Sequence, residues 1–244
     1  MPRIKQQELK VISEQMEVAK ARSNIFSQLK GRVGIPDPEC SDRIATEQCN
    51  SLIREMINRN FNIFDILHNY GKGAISSKND THSKGRKFEK FLGGRGDGDP
   101  TPDTNHSEIK LTKVDKKHTL PAKNPVLNIG SIQPRGKKYN TYEESSCYKK
   151  LERVLVCSYS GYGEKFEGTF IFEGTDPLWF ARLKEDYEAI LNEYKRRVKL
   201  GIRSSNSSVV SSTFKTPNGC LCVRSDSVMW TKEFFKEVSK HYDP

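Results

Sequence analysis

Residues 102–110 read PDTNHSEIK, and the rest of the chain can be interpreted outward from them. In an extended segment side chains alternate between two faces, so Glu108 and Lys110 share one face while Ile109 and Leu111 anchor the strand in a core on the other. Asp103 approaches from the preceding turn. The stretch therefore predicts a strand with a carboxylate and an amine on its polar face and a second carboxylate nearby.

These groups suit one kind of chemistry. Mg²⁺ binds through one or two carboxylates and keeps several waters for a substrate phosphate. A neighbouring ammonium can orient or deprotonate one of those waters. We therefore predict Mg²⁺ as cofactor, Asp103 and Glu108 as its ligands, Lys110 beside the attacking water, and phosphodiester hydrolysis. The spacing also fits an ordinary Glu/Lys pair on a half-exposed strand, and Asp97 and Asp99 are rival candidates for the first carboxylate.

The charge of the chain indicates its kind of partner. Among 244 residues, 41 are Lys or Arg and 31 are Asp or Glu, which gives a formal net charge of +10 and a pI near 9.2. Such a chain attracts polyanions, of which nucleic acid is the commonest. Basic ribosomal and membrane-surface proteins share this property, so charge alone predicts no activity. The length predicts one or two domains.

Composition also bears on location. Hydrophobic residues make up 34% of the chain, the mean hydropathy is −0.72, and no apolar run approaches the roughly 18 residues of a membrane span, so we expect no membrane association. The first residues, MPRIKQQE, lack the apolar core of a secretory signal, so we expect a cytoplasmic protein with free thiols. The six cysteines include no C-x2-C pair, and we interpret Cys220 and Cys222 as small buried hydrophobes.

Apolar spacing predicts helices before the Asp103 turn. One or two are expected over 4–30, and another after Ser41 as N-cap. The apolar stripe of that later helix contains Ile44, Cys49, Leu52, Ile53, Met56 and Ile57. Residues 71–87 predict a mobile basic loop that could contact DNA, and residues 85–93 predict a short helix.

The second half of the chain predicts strands and then helices. Core strands are expected at 126–130, 153–157 and 169–172, joined in a central mixed sheet. A long helix from 178 to about 199 follows the Asp-Pro pair at 176–177, and Gly201 ends it. A loop leads through residues 217–219 into a hairpin, and a last helix covers Lys232–Tyr242.

Several segments match one family in the order in which that family carries them. Residues 85–93, GRKFEKFLG, resemble its Gly-x3-Glu-x2-Leu-Gly helix. Residues 150–155, KLERVL, resemble its Lys-Leu-x-Arg-Val-Leu segment, with Glu143 and Ser145 preceding them, and residues 183–188, LKEDYE, resemble its Leu-Arg-Glu-Asp-Trp-Glu. Over roughly residues 84 to 240 the chain thus resembles the MutH-type endonucleases, which include a mismatch-repair nicking enzyme and GATC-cutting restriction enzymes.

This resemblance implies the PD-(D/E)xK nuclease fold, an α/β (α+β) restriction-endonuclease-like core with a central mixed sheet flanked by helices. It implies a catalytic core over 71–175 and a C-terminal part over 176–244 that clamps DNA, after a helical N-terminal region over 1–70 that the resemblance does not cover. The three parts also fit one continuous domain. The polar sequence that follows the lysine motif, LTKVDK at residues 111–116, predicts a short strand.

The resemblance also implies two further site residues. Glu89 would be the carboxylate that a helix contributes to the site, acting through a metal-bound water or the lysine. Lys150 would lie near the scissile phosphate or the water, and a solvated lysine at a helix end is the alternative.

The activity implied is that of a type II restriction endonuclease, which cleaves double-stranded DNA at a short palindrome, GATC in this family. A cognate DNA methyltransferase is then expected as its genetic partner. The alternatives are a strand-nicking mismatch-repair-type endonuclease and a catalytically silent nucleic-acid-binding module. A monomer that cuts the strands in turn and a homodimer on a palindrome both fit the sequence.

Base recognition requires side chains that reach the groove edges, chiefly Arg or Lys to guanine and Asn or Gln to adenine. In the family that role lies in the C-terminal part, where the candidates here are Arg203, Ser205, Asn206, Lys215 and Asn218. A second basic loop, with Arg135, Lys137 and Lys138, is expected to meet phosphates. Each of these residues also fits a solvated surface position.

Overall fold

The computed structural model describes residues 42–63, 81–92, 102–103, 107–114, 127–132, 141–160, 165–202, 209–225 and 227–242. They form a mixed α/β fold with five helices and two three-stranded sheets. The helices are α1 (Asp42–Asn58), α2 (Thr81–Phe91), α3 (Ser146–Leu151), α4 (Pro177–Lys199) and α5 (Lys232–Tyr242). The strands are β1 (Glu108–Val114), β2 (Asn128–Ser131), β3 (Val154–Ser160), β4 (Phe166–Phe172), β5 (Leu221–Arg224) and β6 (Ser227–Trp230).

The first sheet has the order β1-β3-β4 and is mixed. β1 runs parallel to β3 with Glu108 opposite Val154, and β3 runs antiparallel to β4. The backbone N–H of Glu108 donates to the carbonyl oxygen of Arg153 at 2.9 Å. Because β1 and β3 begin at the same edge, the segments that lead into the two strands meet there.

Hydrophobic cores cover both faces of this sheet. In β3, Val154 and Val156 belong to one core and Leu155 and Cys157 to the other, as the alternation of side chains along a strand requires. The first core continues into α4, α5 and the second sheet, and the second core continues into α1 and α2. Ile109 of β1 packs in the second core, which turns Glu108 and Lys110 away from it. The predicted two-faced strand is confirmed.

The strand predicted near residue 128 lies in a different sheet from the one expected. β2 pairs antiparallel with β6, and the second sheet has the order β2-β6-β5. Trp230 N also donates to Leu127 O at 2.9 Å, so the backbone groups of β2 are used by the C-terminal hairpin. The prediction that a single central sheet includes this strand is therefore wrong.

Two boundaries also differ from the sequence prediction. The loop predicted over 71–87 is wrong from Thr81 onward, because α2 begins there. β1 is not short: it has seven residues, as many as β3, because every residue of β1 has a partner in β3 despite the polar sequence. Residues 1–41, with the expected first helices and Ser41, lie outside the described residues.

The long helix α4 forms as its sequence predicts. Asp176 caps its N-terminus by accepting from Leu178 N at 2.9 Å, Pro177 occupies the first turn, and Gly201 follows its end at φ 66°.

The boundaries predicted for α5 are confirmed, and the apolar stripe of α1 is buried from Cys49 to Met56. No described helix is long and apolar enough to cross a membrane.

The cysteines in the described part of the chain are free. Burial raises the pKa of the Cys49, Cys147 and Cys220 thiols to about 12, which leaves these groups protonated and unreactive at neutral pH.

Asp186, in the middle of α4, holds the loop that leads into β5. Its buried carboxylate accepts from Thr216 Oγ1 at 2.9 Å and from the backbone N–H groups of Asn218, Cys220 and Leu221 at 2.7, 2.7 and 3.0 Å. Three backbone N–H groups and one hydroxyl thus surround this charge, and the Arg182 guanidinium also interacts with it electrostatically. The carboxylate thus fixes the route of the chain into the hairpin.

We predict that Asp186→Asn lowers the free energy of unfolding by about 2–4 kcal/mol, because an amide NH₂ then faces donors that need an acceptor. Urea denaturation measures this loss. Glu233→Gln on α5 is the control, since this exposed carboxylate has no part in the contacts that hold the loop and its replacement should cost less than about 0.5 kcal/mol. Equal losses in the two variants would contradict this role of Asp186.

Candidate active site

Five charged side chains from four segments interact electrostatically at the edge where β1 and β3 begin. Glu108 and Lys110 come from β1, Lys150 from the last turn of α3, Asp103 from the turn before β1, and Glu89 from α2. Parallel pairing explains the arrangement, because Glu108 lies opposite Val154, four residues after Lys150. The structure therefore groups all five residues predicted for catalysis.

The centre of this group is a buried carboxylate bound by two ammonium groups. Glu108 is 1% exposed, and its Oε1 accepts from Lys150 Nζ at 2.8 Å and also from Lys110 Nζ. Its other oxygen, Oε2, is buried and has no hydrogen-bond partner among the residues that the structure describes. A buried carboxylate oxygen without a donor is costly, so this atom is available to a ligand.

Asp103 approaches β1 from the preceding turn, as predicted. Its Oδ2 accepts from Ile109 N at 2.8 Å, and its side chain is buried. Burial, followed by the charge of Glu108, raises the pKa of Asp103 to about 6 against the opposing effect of Lys110. Its rivals Asp97 and Asp99 lie outside the described residues.

Glu89 is electrostatically coupled to the same group. Burial, followed by the charges of Asp103 and Glu108, raises its pKa to about 7 against the opposing effect of Lys110 and Lys150. The pKa of Lys110 is also raised: burial acts against its charged form, but the charges of Glu108, Asp103 and Glu89 outweigh that effect. Lys110 is therefore a protonated ammonium at neutral pH.

The residues present fit a divalent cation. Three carboxylates lie near two ammonium groups, and repulsion among the carboxylates adds to burial, the main cause, in raising the pKa values of Glu89 and Asp103. A hard cation favours oxygen ligands of this kind. Within the described ranges, no three His, Cys, Asp or Glu side chains form a complete metal-binding group. Two protein ligands leave positions for water and phosphate, which is the coordination that Mg²⁺ prefers.

Two polar contacts near the site were not evident from the sequence. The hydroxyl of Ser107, next to Glu108, is hydrogen-bonded to Thr46 of α1 at 2.7 Å. Gly174 N donates to Leu151 O, beside Lys150, at 3.0 Å. The partners are 61 and 23 positions apart, so no local pattern could have indicated either contact.

The candidates for DNA contact are described only in part. Arg135, Lys137, Lys138, Arg203, Ser205 and Asn206 lie outside the described residues. Lys215 is exposed in the loop before β5. Asn218 uses its amide Nδ2 to donate to Glu185 Oε2 at 2.8 Å, and its backbone N–H bonds Asp186. The side chain of Asn218 therefore holds the loop to α4 in this structure, whereas Lys215 points to solvent.

A scan against protein-family models and a search of curated proteins both return no match for this chain.

We predict that Glu89 gives the metal-free protein a distinct dependence of stability on pH. The folded-state pKa of Glu89, about 7, lies above the ordinary glutamate pKa of 4.5, so folding takes up a proton between these values and stability falls as pH rises from 4.5 to 7. Glu89→Gln removes this proton uptake. The unfolding free energy of the variant relative to wild type should therefore increase from about pH 4.5 to about pH 7 and stay level outside that range.

Urea denaturation in EDTA from pH 4 to 8.5 measures the effect. Asp103→Asn is the comparison variant, and its relative gain should be complete near pH 6, where the pKa of Asp103 lies. Curves for Glu89→Gln and wild type that run parallel throughout would show that Glu89 does not carry the proposed charge coupling.

Proposed function

We propose that this chain is a Mg²⁺-dependent endonuclease that hydrolyses phosphodiester bonds in double-stranded DNA, a type II restriction endonuclease of the PD-(D/E)xK kind. The observation that carries the proposal is the state of Glu108. One of its oxygens is bound by two ammonium groups, and the other is buried without a partner among the described residues. Stable burial of such a group suits a site that binds a cation and then phosphate.

The residues have distinct roles in this proposal. Asp103 and Glu108 hold the cation, and Ile109 N fixes the Asp103 carboxylate through one oxygen. Mg²⁺, when bound, supplies charge stabilisation to the scissile phosphate and lowers the pKa of a coordinated water. Lys110 orients the attacking water, and Lys150 lies within reach of charge that develops on the phosphate.

The protonation state of Lys110 limits its role. Its raised pKa keeps it an ammonium, which can donate hydrogen bonds but cannot accept a proton. Orientation of the water is therefore the role favoured over general base. Glu89, with a pKa of about 7, is the group best matched to take a proton near neutral pH.

The fold and the charge support the same proposal. A strand with Glu-x-Lys pairs in parallel with a neighbour, and a helix with a carboxylate precedes it, which is the arrangement expected of a restriction-endonuclease-like core. The net charge of +10 favours DNA as partner. GATC is the first target to examine, with a cognate DNA methyltransferase as genetic partner, in the cytoplasm. Homodimer and monomer are alternatives for the active unit.

Strand nicking of the mismatch-repair type is the second candidate, because the same site would serve it. A catalytically silent nucleic-acid-binding module is disfavoured by the buried charges. Glu108 is 1% exposed between two lysines, and burial of such a cluster costs stability that a simple binding surface does not require.

Digestion of plasmid DNA tests the proposal. With Mg²⁺ and no partner protein, the wild-type chain should convert unmethylated plasmid to linear fragments, and sequencing of the fragment ends gives the site. Adenine-methylated plasmid shows whether methylation protects it. Open-circular product alone would favour the nicking enzyme, and intact plasmid at all protein concentrations would contradict nuclease activity.

Two variants connect this activity to the site. Glu108→Gln and Asp103→Asn should each lower the cleavage rate by about 10³-fold, because each removes a charged ligand at the reacting phosphate. Binding to DNA in Ca²⁺ should remain within about tenfold of wild type, since each also removes negative charge that repels phosphate. Glu233→Gln, at an exposed position of α5, is the control. Wild-type cleavage by either site variant would overturn the assignment.

A further inference from the structure

We propose that Ser145 and Gly174 are positioning residues for Lys150: they hold the two ends of α3 and so keep the Lys150 ammonium on Glu108. The inference rests on the proposed function for its catalytic consequence. Its structural part, that these contacts place the ammonium, can be tested without cleavage.

The length of α3 is the reason that it needs external support. The helix has six residues, Ser146–Leu151, and isolated helices shorter than about 12 residues are marginal in water. Its own backbone hydrogen bonds therefore cannot determine where Lys150 lies. Cys147 and Leu151 are fully buried and anchor one side of the helix, whereas Lys150 lies on the side that faces Glu108.

Ser145 holds the N-terminal end. Its Oγ accepts from Tyr148 N at 3.0 Å and donates to Tyr142 O at 2.6 Å, so one hydroxyl caps the helix and joins it to the preceding turn. The Ser145 side chain is buried, which protects both hydrogen bonds from water. Replacement by threonine can keep the two bonds, and replacement by alanine cannot.

Gly174 holds the C-terminal end. It lies two residues after β4, and its N–H donates to Leu151 O at 3.0 Å, the carbonyl next to Lys150. A Cβ at position 174 would overlap that carbonyl oxygen and would lie 3.0 Å from Leu151 C and 3.2 Å from Phe172 Cε1. The obstacle is backbone, so either the end of α3 or the chain at residue 174 must shift if residue 174 has a side chain.

This shift would act on the reaction through Lys150. The Lys150–Glu108 distance is 2.8 Å, and misplacement of a reacting group by about 1 Å can cost about 10²-fold in rate. A role of Gly174 through Lys150 can be distinguished from a general effect of Gly174 on stability. If Gly174 acts only by placing Lys150, removing the ammonium also removes the effect of the Gly174 substitution.

The test is a double-mutant cycle with single-turnover cleavage of unmethylated plasmid in Mg²⁺. Gly174→Ala should lower the rate by about tenfold or more, but by less than about twofold when combined with Lys150→Met. Gly201→Ala is the matched control, because its Cβ would meet nothing within 4 Å although its φ of +66° is strained. The same fold-loss from Gly174→Ala in both backgrounds, or no loss, would overturn the proposal.

A second measurement does not require cleavage. In ¹⁵N NMR spectra of the lysine ammonium groups, the Lys150 signal is identified by its loss in Lys150→Met. Gly174→Ala and Ser145→Ala should move that signal toward the positions of exposed lysines, and Ser145→Thr and Gly201→Ala should leave it in place. An unmoved Lys150 signal in both site variants would overturn the positioning role even if the enzyme cuts DNA. A moved signal with no wild-type cleavage would contradict the proposed function alone.

If Gly174→Ala does not fold, Ser145→Ala replaces it in both experiments. The Ser145 substitution introduces no overlap and removes only a hydroxyl, and Ser145→Thr should restore the wild-type rate and signal. A rate and signal in Ser145→Ala equal to those of wild type would then count against the proposal.

Discussion

The buried carboxylate of Glu108 is the constraint on which the rest of the site depends. A charge that is 1% exposed is tolerable only when opposite charges and hydrogen bonds replace water, and Lys110 and Lys150 supply them from two different elements. This requirement connects β1 to α3. It also makes the parallel register of β1 and β3 a functional feature, since a shift of one residue would turn Glu108 to the opposite face.

Local features of the sequence were sufficient to predict which side chains of β1 face the site and where α4 begins and ends. Alternation of Glu108, Ile109 and Lys110 predicted which side chains face the site, and the Asp176 cap, Pro177 and Gly201 predicted the extent of α4. Each of these signals depends on neighbouring residues only. The apolar stripe of α1 from Cys49 to Met56 was predicted to be buried for the same reason, because helical spacing alone determines a common face.

Contacts between distant segments were not predictable in this way. Residues 126–130 were predicted to form a core strand, but the partner of β2 is determined by the hairpin of β5 and β6 about 100 positions later. Gly174 has no unusual neighbours in sequence, and its importance follows from the close approach of Leu151 O. Asn218 was interpreted as a residue that reads bases, yet its amide donates to Glu185 because Asp186 draws the loop onto α4.

The proposed function requires that the carboxylates at the edge of β1 bind a cation. A crystal structure of the protein grown with Mn²⁺, with the ion located by its anomalous scattering, tests this most directly. We predict an anomalous peak in contact with the carboxylates of Asp103 and Glu108, and its loss in Glu108→Gln. Mn²⁺ bound elsewhere on the protein, with no peak beside Glu108, would contradict the account.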